Sequence, residues 1–160
     1  MNQEVLKQKS EIVSTITEDM KNAGSVIVVE YRGLDVAKLT KLRRQLRDSN
    51  ASMFVFKNTL VSRAAEGLGH ADLMPYLEGP NAIVFSKDIS EGPKILTKFS
   101  KANPSLVIKA GIVEGKVFDA AGMKVIATLP NRDGLISMFL SVLQAPVRQF
   151  ACTLKAVADK

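Results

Sequence analysis

Apolar residues first recur at Val5, Ile12, Ile16 and Met20, a helical spacing that Gly24 brings to an end. The stretch "SVIVVEY" at 25–31 is β-branched and apolar throughout its centre, which predicts a buried strand. Helical period then returns: Leu39, Leu42 and Leu46 make one stripe with Val36 at its edge, and Asp35 stands where an N-cap belongs. "SMFVF" at 52–56 predicts a second strand, and Asn58 is placed to cap a short helix ending near Gly67. "NAIVFS" at 81–86, entered through Gly79-Pro80, reads as a third strand, and "EGPKILTKFSKAN" at 91–103 as a helix that Pro104 ends. "SLVIKAGIV" at 105–113 and "KVF" at 116–118 form a hairpin about Glu114-Gly115, and a short helix near 120–128 leads to Pro130. Helices alternating with strands predict an α/β fold: a two-layer globular domain over residues 1–128, with a mixed β-sheet and flanking helices.

The pattern changes over residues 129–160. Ile136, Leu140, Leu143, Val147, Phe150, Leu154 and Val157 are spaced 4, 3, 4, 3, 4 and 3, a heptad alternation that predicts a long C-terminal helical arm. Pro146 lies within the seam and predicts a kink there. Such a seam wants a facing helix, supplied either by the chain's own domain or by a partner. Leu135, Met138, Phe139 and Val142 make the first half apolar on several sides, more than one docking face needs.

Charge adds what periodicity does not show. The formal charge is +6, and residues 32–63, with eight basic and two acidic groups, carry an excess equal to all of it. A field that concentrated suits a polyanion, nucleic acid being the commonest; a solvated basic helix face is the plainer reading. With 46% apolar and 24% charged residues the mix is that of a globular protein. No apolar run approaches the roughly 18 residues of a membrane span. The stretch "MNQEVLKQKSEIV" is polar from its second residue and shows no apolar signal region, so secretion is not expected, and a single cysteine, Cys152, excludes an internal disulfide. The expectation is a cytoplasmic protein that does not engage a membrane.

Equipment for catalysis is sparse. His70 is the one histidine, in the loop "GLGHAD", and Cys152 sits among apolar neighbours as a small hydrophobe. Without a Cys/His cluster no zinc site is expected, and no phosphate-binding loop or dinucleotide fingerprint occurs. The reading assigns no catalytic residue, no metal and no cofactor. It does find two strands running into basic corners that open helices, "YRGLD" and "KNTL". Set side by side at the strand carboxyl ends, they would offer helix N-termini, the pliant Gly33, and the donors Arg32, Lys57 and Arg63 to phosphate oxygens. Asn58 and Thr59 serve equally as caps or as donors. Tyr31 is the main aromatic near the corners, which favours a folded RNA's backbone and shape over single-stranded bases. A small phosphorylated ligand, bound or transformed at the same corners, is the alternative, and a coiled-coil adaptor with an incidental basic window is a third.

"YRGL" (31–34), "LRRQLR" (42–47), "KNTLVSRA" (57–64), "GPNAIVFS" (79–86), "KAGIVEGK" (109–116), "LPNRDGL" (129–135) and "SVLQAPVRQF" (141–150) occur in that order. Together they resemble the bacterial stalk-base proteins of the large ribosomal subunit, the ribosomal protein L-ten family, over essentially the whole chain. The resemblance implies a structural, non-catalytic protein. Its N-terminal domain would bind large-subunit ribosomal RNA at the GTPase-associated centre, beside the L-eleven protein. The arm, from Ile136 to Val157, would carry two or more dimers of the small acidic stalk protein, two being the expected number, and so recruit GTP-bound translation factors. Carried over residue by residue, Arg32, Gly33, Lys57, Asn58, Thr59 and Arg63 match the family's RNA-facing corners, with Lys7 and Lys9 on the first helix as secondary candidates; Arg44 and Arg47 join the RNA-binding set for the charge of their helix. Gly134 departs from the helix-forming residues common at that place in the family.

Overall fold

A computed structural model describes residues 3–158, in two compact units that meet in sequence between Thr128 and Leu129. In the first unit the elements follow the hydrophobic pattern closely. They are α1 (Gln3–Asn22), β1 (Ser25–Glu30), α2 (Val36–Asp48), β2 (Ala51–Phe54), α3 (Asn58–Gly67), β3 (Asn81–Ser86), α4 (Glu91–Ala102), β4 (Val107–Val113), β5 (Lys116–Asp119) and α5 (Ala120–Thr128). A 3-10 helix over Ala71–Tyr76, unpredicted by periodicity, lies between α3 and β3. The second unit holds α6 (Arg132–Ala158).

The five strands lie in the order β2-β3-β1-β4-β5, and every neighbouring pair is antiparallel. The α/β class holds, but the expected mixed sheet does not. The reason is interlocking. β1–α2–β2 and β3–α4–β4 are each crossover units whose two strands point the same way, yet β3 lies between β1 and β2, and β1 lies between β3 and β4. Splitting each parallel pair with a strand of the other unit makes every contact antiparallel. The function-bearing consequence is that β1 and β2 end at one edge of the sheet, two strand spacings or about 10 Å apart.

Helices cover both faces, giving three layers where two were expected. On one face Ile27, Val29, Ala82 and Val84 pack with Leu42 and Leu46 of α2, Leu96 and Phe99 of α4, and Met123 and Ile126 of α5. On the other, Val26, Val28, Ile83 and Phe85 pack with Ile16 and Met20 of α1 and Val61, Ala64 and Ala65 of α3. Alternate residues of β1 point to opposite faces, so an unbroken apolar strand demands apolar cover on both. Gly24, at the start of β1, is required by space: a Cβ there would lie 2.2 Å from the Lys87 backbone oxygen. Gly24→Ala is therefore expected to destabilise the domain by about 1–3 kcal/mol, read as a lower midpoint in urea at unchanged slope.

Candidate nucleic-acid interface

The edge where β1 and β2 end is built from two corners. After β1, Leu34 N–H donates to Tyr31 O at 3.1 Å, closing a turn with Gly33 at φ +82°. That left-handed value is what a type II turn asks of its third residue and what glycine supplies without strain. The turn leaves Arg32 exposed and leads through Asp35 into α2. After β2, Lys57 occupies the N-cap position of α3, with Lys57 and Thr59 both exposed. The first turns of α2 and α3 contain no acidic residue, and neither N-cap side chain makes a capping hydrogen bond. The positive end of α3 thus remains available to an anion, while Asp35 sets a carboxylate at the N-cap of α2.

Asn58 corrects an expectation. It is the first residue of α3, and its amide is committed elsewhere: Nδ2 donates to Gly79 O at 2.9 Å. Its side chain ties the start of α3 to the turn that enters β3, between the two corners. Lys109 reaches the same turn, donating from Nζ to Glu78 O at 2.6 Å while pairing with Glu30 Oε2 at 2.9 Å. Asn81 Nδ2 also donates to Glu78 O, at 3.1 Å. Lys109, Glu30 and the Glu78-Gly79 turn escaped the sequence reading. The available signal was a lone lysine inside the apolar strand "VIKAGIV". Lys109 stands at a bulge, because Val28 pairs with Ala110 while Val29 pairs with Ile108. Bulges re-aim side chains in this way.

The other basic candidates lie on two further surfaces. Arg63, on α3, lines a groove of about 640 Å³ with Lys9, Lys21 and Glu18 of α1, and Lys7 is exposed on the same helix. Arg44 and Arg47 are exposed on α2, which covers the opposite face of the sheet from α3. The structure therefore brings together Arg32, Gly33, Lys57, Asn58 and Thr59, joins Arg63 to Lys9, and sets Arg44 and Arg47 on another layer. His70 lines a cleft of about 490 Å³ with Lys21, Lys87 and Glu114, where β1 begins and β4 ends, at the edge opposite the basic corners. Among the described residues no three His, Cys, Asp or Glu side chains gather to hold a metal ion.

In the second unit, Asn131 caps α6: its Oδ1 accepts from Gly134 N–H at 3.1 Å. Gly134 fits because a Cβ there would lie 2.8 Å from Pro130 Cβ and 2.9 Å from Asn131 Oδ1. The departure from a helix-forming residue is thus a fit to this cap. The helix continues through Pro146 to Ala158, and its 27 residues span about 40 Å. Ile136, Leu140, Leu143, Val147, Phe150, Leu154 and Val157 are between 50% and 75% exposed. Cys152 is exposed on the same helix. By length and composition Asp133–Ala158 would also suffice to cross a membrane, but Arg148 and Lys155 fall inside that stretch.

A basic sheet edge and an exposed apolar seam are surfaces for meeting other macromolecules, which places the chain among structural assembly proteins. Two family models match it: ribosomal protein L10 over residues 4–101, and the uL10 C-terminal region over residues 129–160. It is similar to the large ribosomal subunit protein uL10 of Macrococcus caseolyticus, 50% identical over 158 residues, covering 98% of this chain and 90% of the relative. The same protein of Bacillus cereus is 48% identical over 157 residues, covering 98% of this chain and 95% of the relative. The chain belongs to the ribosomal protein L10 family, whose members are structural proteins and not enzymes.

Proposed function

We propose that this protein is a constituent of the large ribosomal subunit and forms the base of its stalk. The globular unit binds large-subunit ribosomal RNA at the GTPase-associated centre through the edge formed by Arg32, Gly33, Lys57 and Thr59, beside the L-eleven protein. The C-terminal helix carries dimers of the acidic stalk protein, through which GTP-bound translation factors are recruited in the cytoplasm. One observation carries this reading: the chain combines a basic sheet edge on one unit with a helix on the other whose seven heptad positions are all at least half exposed. An apolar seam of that length in water calls for partner helices. Its heptad spacing, with Arg148 and Lys155 in the run, favours a groove in a protein over a bilayer.

Sedimentation of cell extracts tests the proposal as a whole. The protein is expected with large ribosomal subunits, together with acidic stalk dimers, and to leave them as salt is raised. Its recovery in free fractions at low salt would count against the assignment.

A further inference from the structure

We propose that Lys109 is a positioning residue for the RNA-facing edge: it holds the "YRGL" and "KNT" corners at a fixed spacing and does not itself contact phosphate. The inference rests on the RNA-binding reading above and concerns how that site is set.

The two corners lie on β1 and β2, which are not neighbours; β3 runs between them. The ladder through β3 sets the two strand ends about 10 Å apart, but the Arg32 turn and the start of α3 lie beyond its last paired residues. Two hydrogen-bonded links through the Glu78-Gly79 turn fix them against each other. Asn58 Nδ2 holds Gly79 O at 2.9 Å from the α3 side. Lys109 Nζ holds Glu78 O at 2.6 Å and the Glu30 carboxylate at 2.9 Å from the β1 side, and Glu30 is the last residue of β1 before the Arg32 turn. Gly79, at φ +82°, supplies the left-handed conformation of this turn without strain, and Lys109 Nζ lies beside it, 3.7 Å from where a Cβ would stand. The chain of contacts Arg32 turn–Glu30–Lys109–Glu78–Gly79–Asn58 joins one corner to the other.

Charge separates this role from direct binding. Lys109 is neutralised by Glu30, and the two side chains are only 20% and 25% exposed. The pair adds no net positive charge to the edge, and two of the three ammonium donors are engaged by Glu78 O and Glu30. Arg32 and Lys57 are the exposed cations there. A residue that sets geometry lowers affinity without changing how many counterions binding releases; a residue on a phosphate changes both.

The test uses the full chain carrying Lys109→Met in a Glu30→Gln background, which keeps the apolar stem, removes the donors and leaves no unpaired carboxylate at the edge, and Lys109→Arg, which retains charge and donors. Amide hydrogen exchange without RNA is read first. Lys109→Met is expected to speed exchange at Leu34 and Leu60, whose amides close the two corners, while Val28 and Val84 in the central strands stay protected. Affinity for protein-free large-subunit ribosomal RNA is then measured across a salt series. Lys109→Met should weaken it about tenfold at every salt concentration, the usual worth of a hydrogen bond to a charged group, with an unchanged slope of log affinity against log salt. Lys109→Arg should restore both readouts. A slope reduced by about one would make Lys109 a phosphate contact and overturn the proposal; unchanged exchange at both corners would overturn it as well. If the unaltered protein binds this RNA without salt dependence, the RNA-binding reading fails, and the exchange data alone still decide whether Lys109 holds the turn.

Discussion

Truncation after Asn131 is expected to abolish binding of acidic stalk dimers while leaving affinity for large-subunit ribosomal RNA within about twofold, since separate sites act nearly independently. The first expectation follows from the seam on α6. Each of the seven heptad side chains is at least half exposed, and burying one in a partner groove is worth roughly 1.5–3 kcal/mol. Even after the costs of association, their joint loss exceeds the about 2.7 kcal/mol that separates hundredfold changes in affinity. The second follows from where the core sits: among the described residues, both buried clusters are made by residues of the first unit, none beyond Ile126. Circular dichroism of the shortened chain checks that it folds. The full-length double variant Leu143→Asp/Phe150→Asp reads the same seam without removing residues, and isothermal titration against purified stalk dimers should show at least a tenfold loss. Undiminished binding of stalk dimers by either variant would place their site elsewhere. Loss of both RNA and stalk binding by a folded truncation would contradict the division of labour.

Much of this architecture was legible in the periodicities, and the misses have physical causes. The continuous apolar run of β1 announced burial on both faces, which is the three-layer arrangement, although alternation alone suggested two layers. Strand direction was not legible. Local pattern shows that a strand exists, but the interlocking of two crossover units is settled by long-range packing. The basic corners were recognised because glycine, lysine and arginine at strand ends have few other uses. Asn58 was assigned the local role of a cap, and a partner 21 residues away in sequence outcompeted it. Lys109 was missed for a related reason: its partners at Glu30 and Glu78 are distant in sequence, and only the bulge at Val28/Val29 turns it toward them. Arg44 and Arg47 entered the candidate site through helix charge alone, which says nothing of the layer a helix occupies. The 3-4 alternation from Ile136 to Val157 announces a long helix with one apolar stripe, which α6 is; which surface faces that stripe is not written in the spacing.

That separation of layers gives the second large effect a sharp form. Removing the two edge cations together, as Arg32→Ala/Lys57→Ala, is expected to lower the magnitude of the salt slope for RNA binding by about 1.5, because each phosphate contact releases close to one counterion. Affinity in physiological salt should fall roughly a hundredfold, at 1–2 kcal/mol per charge-assisted contact. Arg44→Ala/Arg47→Ala should leave the slope within about 0.3, well under one phosphate contact. Arg44 lies about 13 Å along α2 from Asp35 and Arg47 about 18 Å, both beyond the screening length of about 8 Å. Filter binding with protein-free large-subunit ribosomal RNA, repeated across a salt series, measures both slopes in one assay. Equal slopes for the two double variants would mean that RNA wraps from the edge onto α2, and the interface would then follow the basic helix instead of the paired corners. A slope near zero for the unaltered chain would remove the phosphate-contacting edge altogether. Because Glu30 neutralises Lys109 beside them, Lys109 does not replace the charge of Arg32 and Lys57 when they are lost.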